Sequence, residues 1–410
     1  MTTIHPTSPG AKAGTESVRR NNLGLVLRAV LEEGEATRAR VAARVGLTRA
    51  AVSSLVEELL ELDHLTESGK TFSGSAGRPG TVLKVSDTGP AGLGVEINID
   101  YVSVCAVGLT GTDRVRVTEH IDNRNTPPAE VLAHAARLTN RVITSTGEQG
   151  LRAFGVELAL PGLVSGGMVR QAPNLGWYRV AAEGIFGQAL STLRPAGRAL
   201  AVSSDNEANL AALAELWFGG LGDADCFLYL TGEIGVGGAL VLQGELLRGA
   251  HGFAGEVGHV VVDPEGPLCG CGARGCLEQY AGQAALLRAA GIDPAAGVRG
   301  LGELEKRARE GDPGTLEVLR AAGDRMGVVL AGAVNLFDLG TVVLGGIYRD
   351  LMPWLAEAAE AQLAERVVSG RWHSDGSGLR ASSLSGDAAR GAAARVVREV
   401  LADPAAYAAR

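Results

Sequence analysis

Cysteine is scarce in this sequence, and so are aromatic residues and long apolar runs. Five cysteines in 410 residues are too few for a disulfide framework, and three of them fall at positions 269, 271 and 276. Clustered cysteines of this kind are typical of a metal site in a reducing compartment. Aromatic residues make up 4% of the chain whereas 58 residues are glycine, which indicates tight turns and packing through small side chains.

No stretch reaches the roughly 18 apolar residues that a membrane span needs, and the polar start "MTTIHPTSPGAKAGTE" lacks the apolar core of a signal peptide. We therefore predict a cytoplasmic protein without membrane association, with a disordered tail over residues 1–16. The remaining composition, 46% hydrophobic and 20% charged, is that of a globular protein. A chain of this length predicts two or three domains.

Positive charge is also in short supply, since the formal net charge is -8. This balance argues against indiscriminate binding to nucleic acid. Between residues 37 and 56, however, the charged residues are all arginines, namely Arg38, Arg40, Arg44 and Arg49. One small segment can therefore meet phosphate while the rest of the chain repels it.

This segment lies in a pattern of three helices. Thr37 and Thr48 can each cap a helix, and Gly46 supplies the turn between them. Apolar residues recur at helical spacing after Thr48, so that Arg49 and Ser53 face away from the core. Small polar side chains at the start of such a helix can enter a major groove. An ordinary three-helix bundle with a solvated arginine face is the alternative.

The stretch that follows the helices indicates a hairpin. In "SAGRPGTVLKVS", Arg78 stands between glycine and proline before an alternating strand, and an arginine on such a loop suits a narrow minor groove. Helices and hairpin together predict a winged helix-turn-helix domain over residues 17–88 that binds double-stranded operator DNA. The candidate contacts are Arg38, Thr48, Arg49, Ser53 and Arg78.

From residue 92 onward, buried strands such as "GLGVEINI", "AFGVELALPG", "CFLYLTG" and "TVVLGG" alternate with helices. This alternation predicts an α/β architecture of roughly 300 residues in two lobes. We assign residues 89–203 and a carboxy-terminal helix over residues 386–410 to the first lobe. Residues 204–385 form the second lobe.

The clustered cysteines share a short stretch with one histidine, "GHVVVDPEGPLCGCGARGC". His259, Cys269, Cys271 and Cys276 can complete the tetrahedral shell of a structural zinc ion, with no place left for a catalytic water. The C-x-C-x4-C spacing, with glycines between, lets a short loop fold around the ion. A DNA-reading finger is the alternative, disfavoured because the histidine precedes the cysteines and no basic helix lies beside them.

Three motifs together resemble the ROK family of repressors and sugar kinases: "GEVGHVVVDPEGPLCGCGARGCLEQY", "PGLVSGGMVRQAPNLGW" and "DNEANLAALAE". The resemblance extends over nearly the whole chain and implies a two-lobed, actin-like ATPase fold preceded by the winged helix. It also implies that His259, Glu256 and Glu278 face a sugar. Asn206 and Glu207 would add hydrogen-bonding groups across the cleft, although such an acidic helix start is by itself more often a cap.

The kinases of this family carry D-x-G-G-T at the first phosphate turn, where this sequence reads "EINID" at residues 96–100. The second phosphate loop begins with Glu233 and has lost its threonine, and Glu207 stands in place of the catalytic aspartate. Added bulk and negative charge oppose phosphate binding, and one extra methylene displaces a general base. The resemblance therefore implies a kinase domain that no longer catalyses transfer.

We accordingly predict a sugar-responsive transcriptional regulator, a repressor, that is not an enzyme and forms a homodimer or homotetramer. The alternative is an active sugar kinase with an added DNA-binding domain. Which sugar binds stays open at this stage, as does an effector of another kind, a sugar phosphate or a protein partner.

Overall fold

The computed structural model describes residues 15–71, 80–195, 197, 199–222, 224–370, 372, 378–384 and 387–407. The predicted tail therefore lies outside the described residues, except that residues 15 and 16 begin the first helix. Arg78 also lies outside them. Within the described part of the chain, no helix is both long and apolar enough to cross a membrane.

The amino-terminal unit has three helices and a three-stranded antiparallel sheet of order β1-β3-β2. Its elements are α1 (Thr15–Glu33), β1 (Ala36–Thr37), α2 (Arg38–Val45), α3 (Arg49–Glu61), β2 (Leu65–Thr71) and β3 (Gly80–Val85). Both expected caps form, since Thr37 accepts a hydrogen bond from the backbone of Arg40 and Thr48 accepts one from that of Ala51. This order of elements is the one predicted for residues 17–88.

The first lobe is built on a five-stranded sheet of order β11-β7-β4-β5-β6. Its elements are β4 (Gly89–Ile97), β5 (Tyr101–Gly108), β6 (Asp113–His120), α4 (Pro128–Glu148), β7 (Leu151–Leu160), β8 (Leu163–Ser165), β9 (Met168–Ala172), β10 (Trp177–Val180), α5 (Ala182–Leu193) and β11 (Ala201–Asn206). β4, β5 and β6 are antiparallel, whereas β7 and β11 add in parallel. β8, β9 and β10 form a small separate sheet.

The second lobe repeats this plan with the sheet order β14-β13-β12-β15-β16. Its elements are α6 (Glu207–Phe218), β12 (Phe227–Gly232), β13 (Val236–Leu242), β14 (Glu245–Leu246), α7 (Glu278–Ala281), α8 (Gln283–Ala289), α9 (Gly297–Arg309), α10 (Pro313–Phe337), β15 (Thr341–Gly346), α11 (Ile347–Arg366) and β16 (Gly378–Ala381). Again three antiparallel strands are followed by two parallel ones. The predicted two-lobed α/β fold is confirmed, and the two lobes have the same topology.

The predicted boundary between the lobes is displaced by three residues. β11 pairs in parallel with β7 as far as Asn206, which lies opposite Leu160. A boundary after residue 203 would divide this strand. The first lobe therefore extends through residue 206, because a strand belongs to the sheet whose ladder it completes.

The last helix, α12 (Asp387–Ala402), packs on β4, β5 and β7 and also on α6. Glycines permit these close approaches. A Cβ at Gly94 would lie 1.8 Å from the carbonyl oxygen of Ala389, and one at Gly391 would lie 1.8 Å from that of Leu210. An alanine at either position would collide with the backbone of the neighbouring element. Glycine is therefore required where α12 touches β4 and α6.

The amino-terminal unit shares an apolar core with this helix. Buried side chains of α1, α2 and α3 cluster with Val397, Val400 and Leu401 of α12. Arg20 forms an ion pair with Asp403, just beyond the end of α12. The amino-terminal unit is therefore packed onto the first lobe rather than tethered to it by a linker.

Candidate functional site

The four predicted metal ligands lie together. Nδ1 of His259 is 3.7 Å from Sγ of Cys269, and Sγ of Cys271 is 3.7 Å from Sγ of Cys276. All four ligand atoms lie within 4.8 Å of one another. Thiolates bound to one tetrahedral zinc ion at about 2.3 Å would be separated by about 3.8 Å. The cluster can thus hold a metal ion, and its spacing fits zinc.

Local backbone structure sets this spacing. His259 ends a short 3-10 turn, Val257–His259, and the cysteine loop is held by a bridge between Val261 and Cys276. Gly275 has a φ of 65°, and a Cβ there would lie 1.6 Å from the carbonyl oxygen of Asp263. Glycine is the residue that can take this conformation so close to backbone, which explains the glycine beside the last cysteine.

The cluster forms part of the wall of a cavity between the lobes. Residues of both lobes line this sugar-side cavity, among them all five predicted sugar contacts: Asn206, Glu207, Glu256, His259 and Glu278. Cys271 lines it as well. We call the segment 259–276, which carries the four candidate ligands, the metal loop. It faces the cleft between the two lobes, so the alternative of a DNA-reading finger loses support.

Asn206 ends β11 of the first lobe and Glu207 begins α6 of the second, so the two residues stand where the lobes join. The Asn206 side chain caps α6, accepting hydrogen bonds from the backbone of Ala208 and Asn209 and donating one to the carbonyl oxygen of Gly162. Most of its hydrogen-bonding capacity is thus spent on structure. Glu207 differs, because its Oε2 is buried without a hydrogen-bond partner among the described residues.

The environment of Glu207 disfavours the charged carboxylate. Burial, followed by the nearby carboxylates of Glu96 and Glu256, raises the pKa of Glu207 to about 8. At neutral pH the side chain is therefore mostly protonated and can donate as well as accept a hydrogen bond.

Glu256, His259 and Glu278 lie on the second-lobe side. The Nε2 atom of His259 lies 3.9 Å from the Glu256 carboxylate, while Nδ1 turns to the cysteines. Glu278 accepts a hydrogen bond from the backbone of Val236 at 3.3 Å and lies 3.6 Å from Sγ of Cys269. The metal loop is thus joined to the glycine-rich strand β13 through Glu278.

Asn174 and Thr231 also line the sugar-side cavity, and we did not predict them. Asn174 lies in the 3-10 turn Pro173–Leu175, within a motif that carries the family resemblance. Thr231 lies near the end of β12. Polar residues are common on turns and at strand ends, so the sequence positions of these two residues did not by themselves indicate that they line a cavity.

A second cavity adjoins the first at Glu207, and it is lined by Glu96 and Tyr101, in and beside the stretch that the family resemblance assigns to the first phosphate turn. Here Tyr101 donates a hydrogen bond to Glu96 at 2.5 Å, and Asn98 donates one to the Tyr101 oxygen at 3.2 Å. The backbone N–H of Ala389, in the first turn of α12, donates to the other oxygen of Glu96. The residues that replace the glycine-rich turn thus bind one another.

The four predicted DNA contacts that the structure describes differ in whether their side chains are already engaged by other residues of the protein. Arg38 pairs with Glu57 at 2.9 Å and with Glu67 at 2.7 Å, so its charge is already compensated. Thr48 is exposed but its hydroxyl caps α3, and the Ser53 hydroxyl donates to the carbonyl oxygen of Arg49. The Arg49 side chain is exposed, and no ion pair or hydrogen bond to another described residue engages it.

Two of the remaining arginines in this segment are also paired. Arg40 pairs with Glu33 at 2.5 Å, and Arg44 pairs with Glu32 and Glu33. Of the four arginines between residues 37 and 56, Arg49 is thus the one without a partner in the described part of the chain.

Known proteins resemble this chain over most of its length. A putative xylose repressor from Caldicellulosiruptor sp. strain Rt8B.4 is 29% identical over 348 residues, covering 80% of this chain and 83% of that protein. A solved ROK family transcriptional regulator, a homologue of the E. coli MLC protein, superposes with a TM-score of 0.76 at 24% identity, covering 94% of this chain and 97% of its own.

Kinases also match. A ROK family glucokinase from Streptomyces griseus, in complex with glucose and AMPPNP, superposes with a TM-score of 0.60 at 26% identity, covering 74% of this chain and 98% of its own. The glucokinase therefore accounts for a smaller part of this chain than the regulator does. The ROK family model itself matches residues 92–399, and the chain thus belongs to the ROK family.

Proposed function

We propose that the protein is a sugar-responsive transcriptional repressor, in which the amino-terminal unit binds operator DNA and the cleft binds a sugar as effector. One observation carries the proposal. The polar residues that the family resemblance assigns to the sugar all line one cavity, whereas Glu96 and Tyr101, in and beside the stretch that it assigns to phosphate, are hydrogen-bonded to each other. Relatives named xylose repressors, 26–29% identical over most of the chain, support this function.

The cavity offers what a sugar requires. Each hydroxyl loses water on binding and must regain a hydrogen bond. Glu256 and Glu278 supply acceptors, and the Nε2 of His259 lies next to Glu256. Glu207 adds a carboxyl group whose Oε2 has no hydrogen-bond partner in the described part of the chain. These groups all belong to the second lobe, whereas Gly162 and Asn174 line the same cavity from the first lobe, so a bound sugar would contact both lobes.

His259, Cys269, Cys271 and Cys276 would hold a structural zinc ion, which closes their loop into a fixed wall of the cavity. The three cysteines and the histidine leave no open position for substrate. The metal loop orients His259 and Glu278 toward the sugar, and it takes no part in a reaction.

Sugar binding would shift an equilibrium between lobe arrangements. In a homodimer, two copies of α3 must reach half-sites about 34 Å apart or a multiple of that distance. A modest rotation of one lobe therefore changes the spacing of the two DNA-binding units. Their affinity for the operator changes with it.

Fluorescence anisotropy tests this function. The purified protein is titrated onto the DNA just upstream of its own gene at fixed salt, and a panel of sugars is then added. We expect specific binding with a dissociation constant of about 10 nM or tighter, and one sugar that changes it. Binding that no sugar alters contradicts the effector role of the cleft.

An active sugar kinase is the second candidate, and the pKa of about 8 at Glu207 favours it, because a general base works best near the operating pH. Such an enzyme would phosphorylate a hexose with ATP, and Glu207→Asp would raise the rate. We expect no turnover above background with any sugar, measured by release of ADP in a coupled assay.

A further inference from the structure

A further cavity lies between the lobes, and none of the five predicted sugar contacts lines it. Its volume is about 640 Å³. The first lobe lines it with Arg170 of β9, the second lobe with the segment 248–253, and α12 with Arg395. We call it the arginine cavity. A ligand in this cavity would contact both lobes and α12.

Arg170 supplies a positive charge that no carboxylate compensates at close range. The residue is exposed, and no ion pair or hydrogen bond engages its side chain among the described residues. Glu183 lies behind Ser204 of the cavity wall, accepts a hydrogen bond from it at 2.8 Å and forms no ion pair with Arg170 in the described part of the chain. The guanidinium of Arg170 therefore has its N–H donors available to an anion.

Two more arginines line the cavity and share one buried carboxylate. Nη2 of Arg248 lies 2.7 Å from Oδ2 of Asp205, and Nη1 of Arg395 lies 3.1 Å from the same atom. Arg395 also pairs with Glu157 at 2.8 Å. Burial raises the pKa of Glu157 to about 7, so this carboxyl is about half protonated at neutral pH. No ion pair or hydrogen bond to a described residue engages the other nitrogens of either guanidinium, so both retain donors.

The segment 249–253, "GAHGF", adds backbone donors to the cavity wall. Gly249 and Gly252 have φ values of 69° and 85°. Turns that alternate left-handed and ordinary backbone present successive N–H groups to an anion. No backbone N–H group of this segment donates a hydrogen bond to another described residue. These N–H groups are thus open to water or to a ligand, beside three arginines.

This set of donors fits a phosphoryl group. A phosphate monoester carries a charge of about −1.5 to −2 at neutral pH and offers three strong acceptor oxygens. Guanidinium forks and unbonded backbone N–H groups match such oxygens from several directions. A carboxylate has less charge and only two oxygens in one plane, so it would engage fewer of these donors.

We infer that the arginine cavity is a binding site for a small phosphate ester, separate from the predicted sugar contacts. Arg170 and the N–H groups of the segment 249–253 would hold the phosphoryl group, with the remaining donors of Arg248 and Arg395 beside it. The inference does not rest on the identity of the sugar, because none of its groups belongs to the sugar-side cavity.

Isothermal titration of the full-length, metal-loaded protein tests this site in a buffer without phosphate or sulfate. The probe is 3-phosphoglycerate, which has no sugar ring. Glycerate keeps the carboxylate of the probe but lacks its phosphate, and it is the control ligand. We expect 3-phosphoglycerate to bind with a dissociation constant below about 1 mM, and glycerate to bind at least about tenfold more weakly, because the charge-assisted hydrogen bonds to phosphate are lost.

Variants locate the bound anion. Arg170→Ala should weaken binding of 3-phosphoglycerate by about tenfold or more, because it removes a free guanidinium and leaves no protein group unpaired. Arg170→Lys keeps the charge without the planar fork, so it should retain part of the affinity. Arg137→Ala is the matched control, since Arg137 is an exposed arginine of α4 in the same lobe and lies outside the arginine cavity.

Three results would overturn the inference. One is no binding of 3-phosphoglycerate. Another is glycerate that binds as tightly as the probe, which would make the carboxylate the recognised group. The third is affinity for the probe that persists in Arg170→Ala or falls equally in Arg137→Ala, which would place the anion elsewhere on the protein. No sugar is present in these titrations, so each result leaves the proposed function standing.

Discussion

At the scale of the residue, exposed arginines of one short segment differ in whether a carboxylate already holds them. Arg44 pairs with Glu32 and Glu33, whereas Arg49 at the start of α3 has no such partner among the described residues. An arginine already bound to carboxylates must give up that interaction to reach DNA. The local balance of charge, rather than the count of arginines, therefore selects the residue that can contact DNA.

Arg49→Ala should weaken operator binding by about 1–3 kcal/mol, because the side chain is free to contact DNA. Arg44→Ala is the control, and its effect should be smaller. Anisotropy titrations of both variants at one salt concentration, with sugar affinity measured alongside, provide the comparison. Equal losses in the two variants would contradict the assignment of Arg49.

Glu207 gives a prediction on pH. The folded protein raises the pKa of this carboxyl from its ordinary value of 4.5 to about 8, so its contribution to stability is present below pH 4.5 and is lost as the pH rises through 8. Glu207→Gln carries no charge at any pH. We expect similar unfolding free energies at pH 5 and a variant more stable by up to a few kcal/mol at pH 9, measured by urea unfolding. Parallel pH profiles would refute this prediction.

At the scale of the element, the metal loop and α12 depend on different physical constraints. The loop brings four candidate ligand atoms to within 4.8 Å of one another, whereas α12 gains its position from backbone contact that side chains would prevent. The candidate ligands can be recognised in the sequence as a motif. The close backbone contacts of α12 cannot, because the sequence shows only glycines and the structure is needed to show what they approach.

Cys271→Ser should release the metal loop. Serine is a poor zinc ligand, so we expect loss of about one equivalent of zinc, a lower melting temperature and loss of the sugar response. Cys226→Ser is the control, because Cys226 lies outside the cluster. Metal analysis, thermal unfolding and sugar titration measure the three effects; undiminished sugar affinity in a zinc-free variant would show that the loop does not shape the cavity.

Two helical glycines should respond to alanine with opposite signs. At Gly391 of α12 a Cβ would lie 1.8 Å from the backbone of α6, so Gly391→Ala should cost about 1–3 kcal/mol or more. At Gly332 of α10 a Cβ would meet no other described atom within 4 Å beyond its chain neighbours and its own helix backbone, so Gly332→Ala should stabilise by about 0.5–1 kcal/mol. Urea unfolding measures both, and a destabilised Gly332→Ala would go against the prediction.

At the scale of the whole molecule, the amino-terminal unit and the first lobe form one apolar cluster through α12. Leu23 and Leu27 of α1 share it with Val400 and Leu401. The same helix approaches the sugar side through Arg395, which pairs with Asp205, the residue before Asn206, at 3.1 Å. The amino-terminal unit is therefore in contact with α12, and α12 is in contact with the strand that leads to the cleft.

This contact predicts joint unfolding. Hydrogen exchange under native conditions should give the same opening free energy for amides of α1 and α12. Leu401→Ala should lower both by about 2–3 kcal/mol, while the protection of α9 in the second lobe stays unchanged. An α1 that exchanges independently of α12 would mean that the amino-terminal unit is a separate folding domain.

Much of the candidate site could be predicted because its chemically distinctive residues lie close together along the chain. The candidate ligands His259, Cys269, Cys271 and Cys276 could be named without knowledge of the fold, since their spacing in the sequence already permits a tetrahedral shell. The caps Thr37 and Thr48 followed from local backbone rules. The boundary predicted after residue 203 divides β11, which continues to Asn206, because the end of this strand depends on its pairing with β7.

The sequence by itself determined the family, the alternation of strands and helices, and the absence of glycine from residues 96–100, because each of these is a local pattern of residue types. Only the tertiary structure decided which side chains remain available. Arg38 is paired with two glutamates and the Asn206 side chain caps a helix, whereas among the described residues Arg49 has no side-chain partner and Oε2 of Glu207 has no hydrogen bond. Availability depends on the partners that folding brings within reach, and those partners lie far apart along the chain.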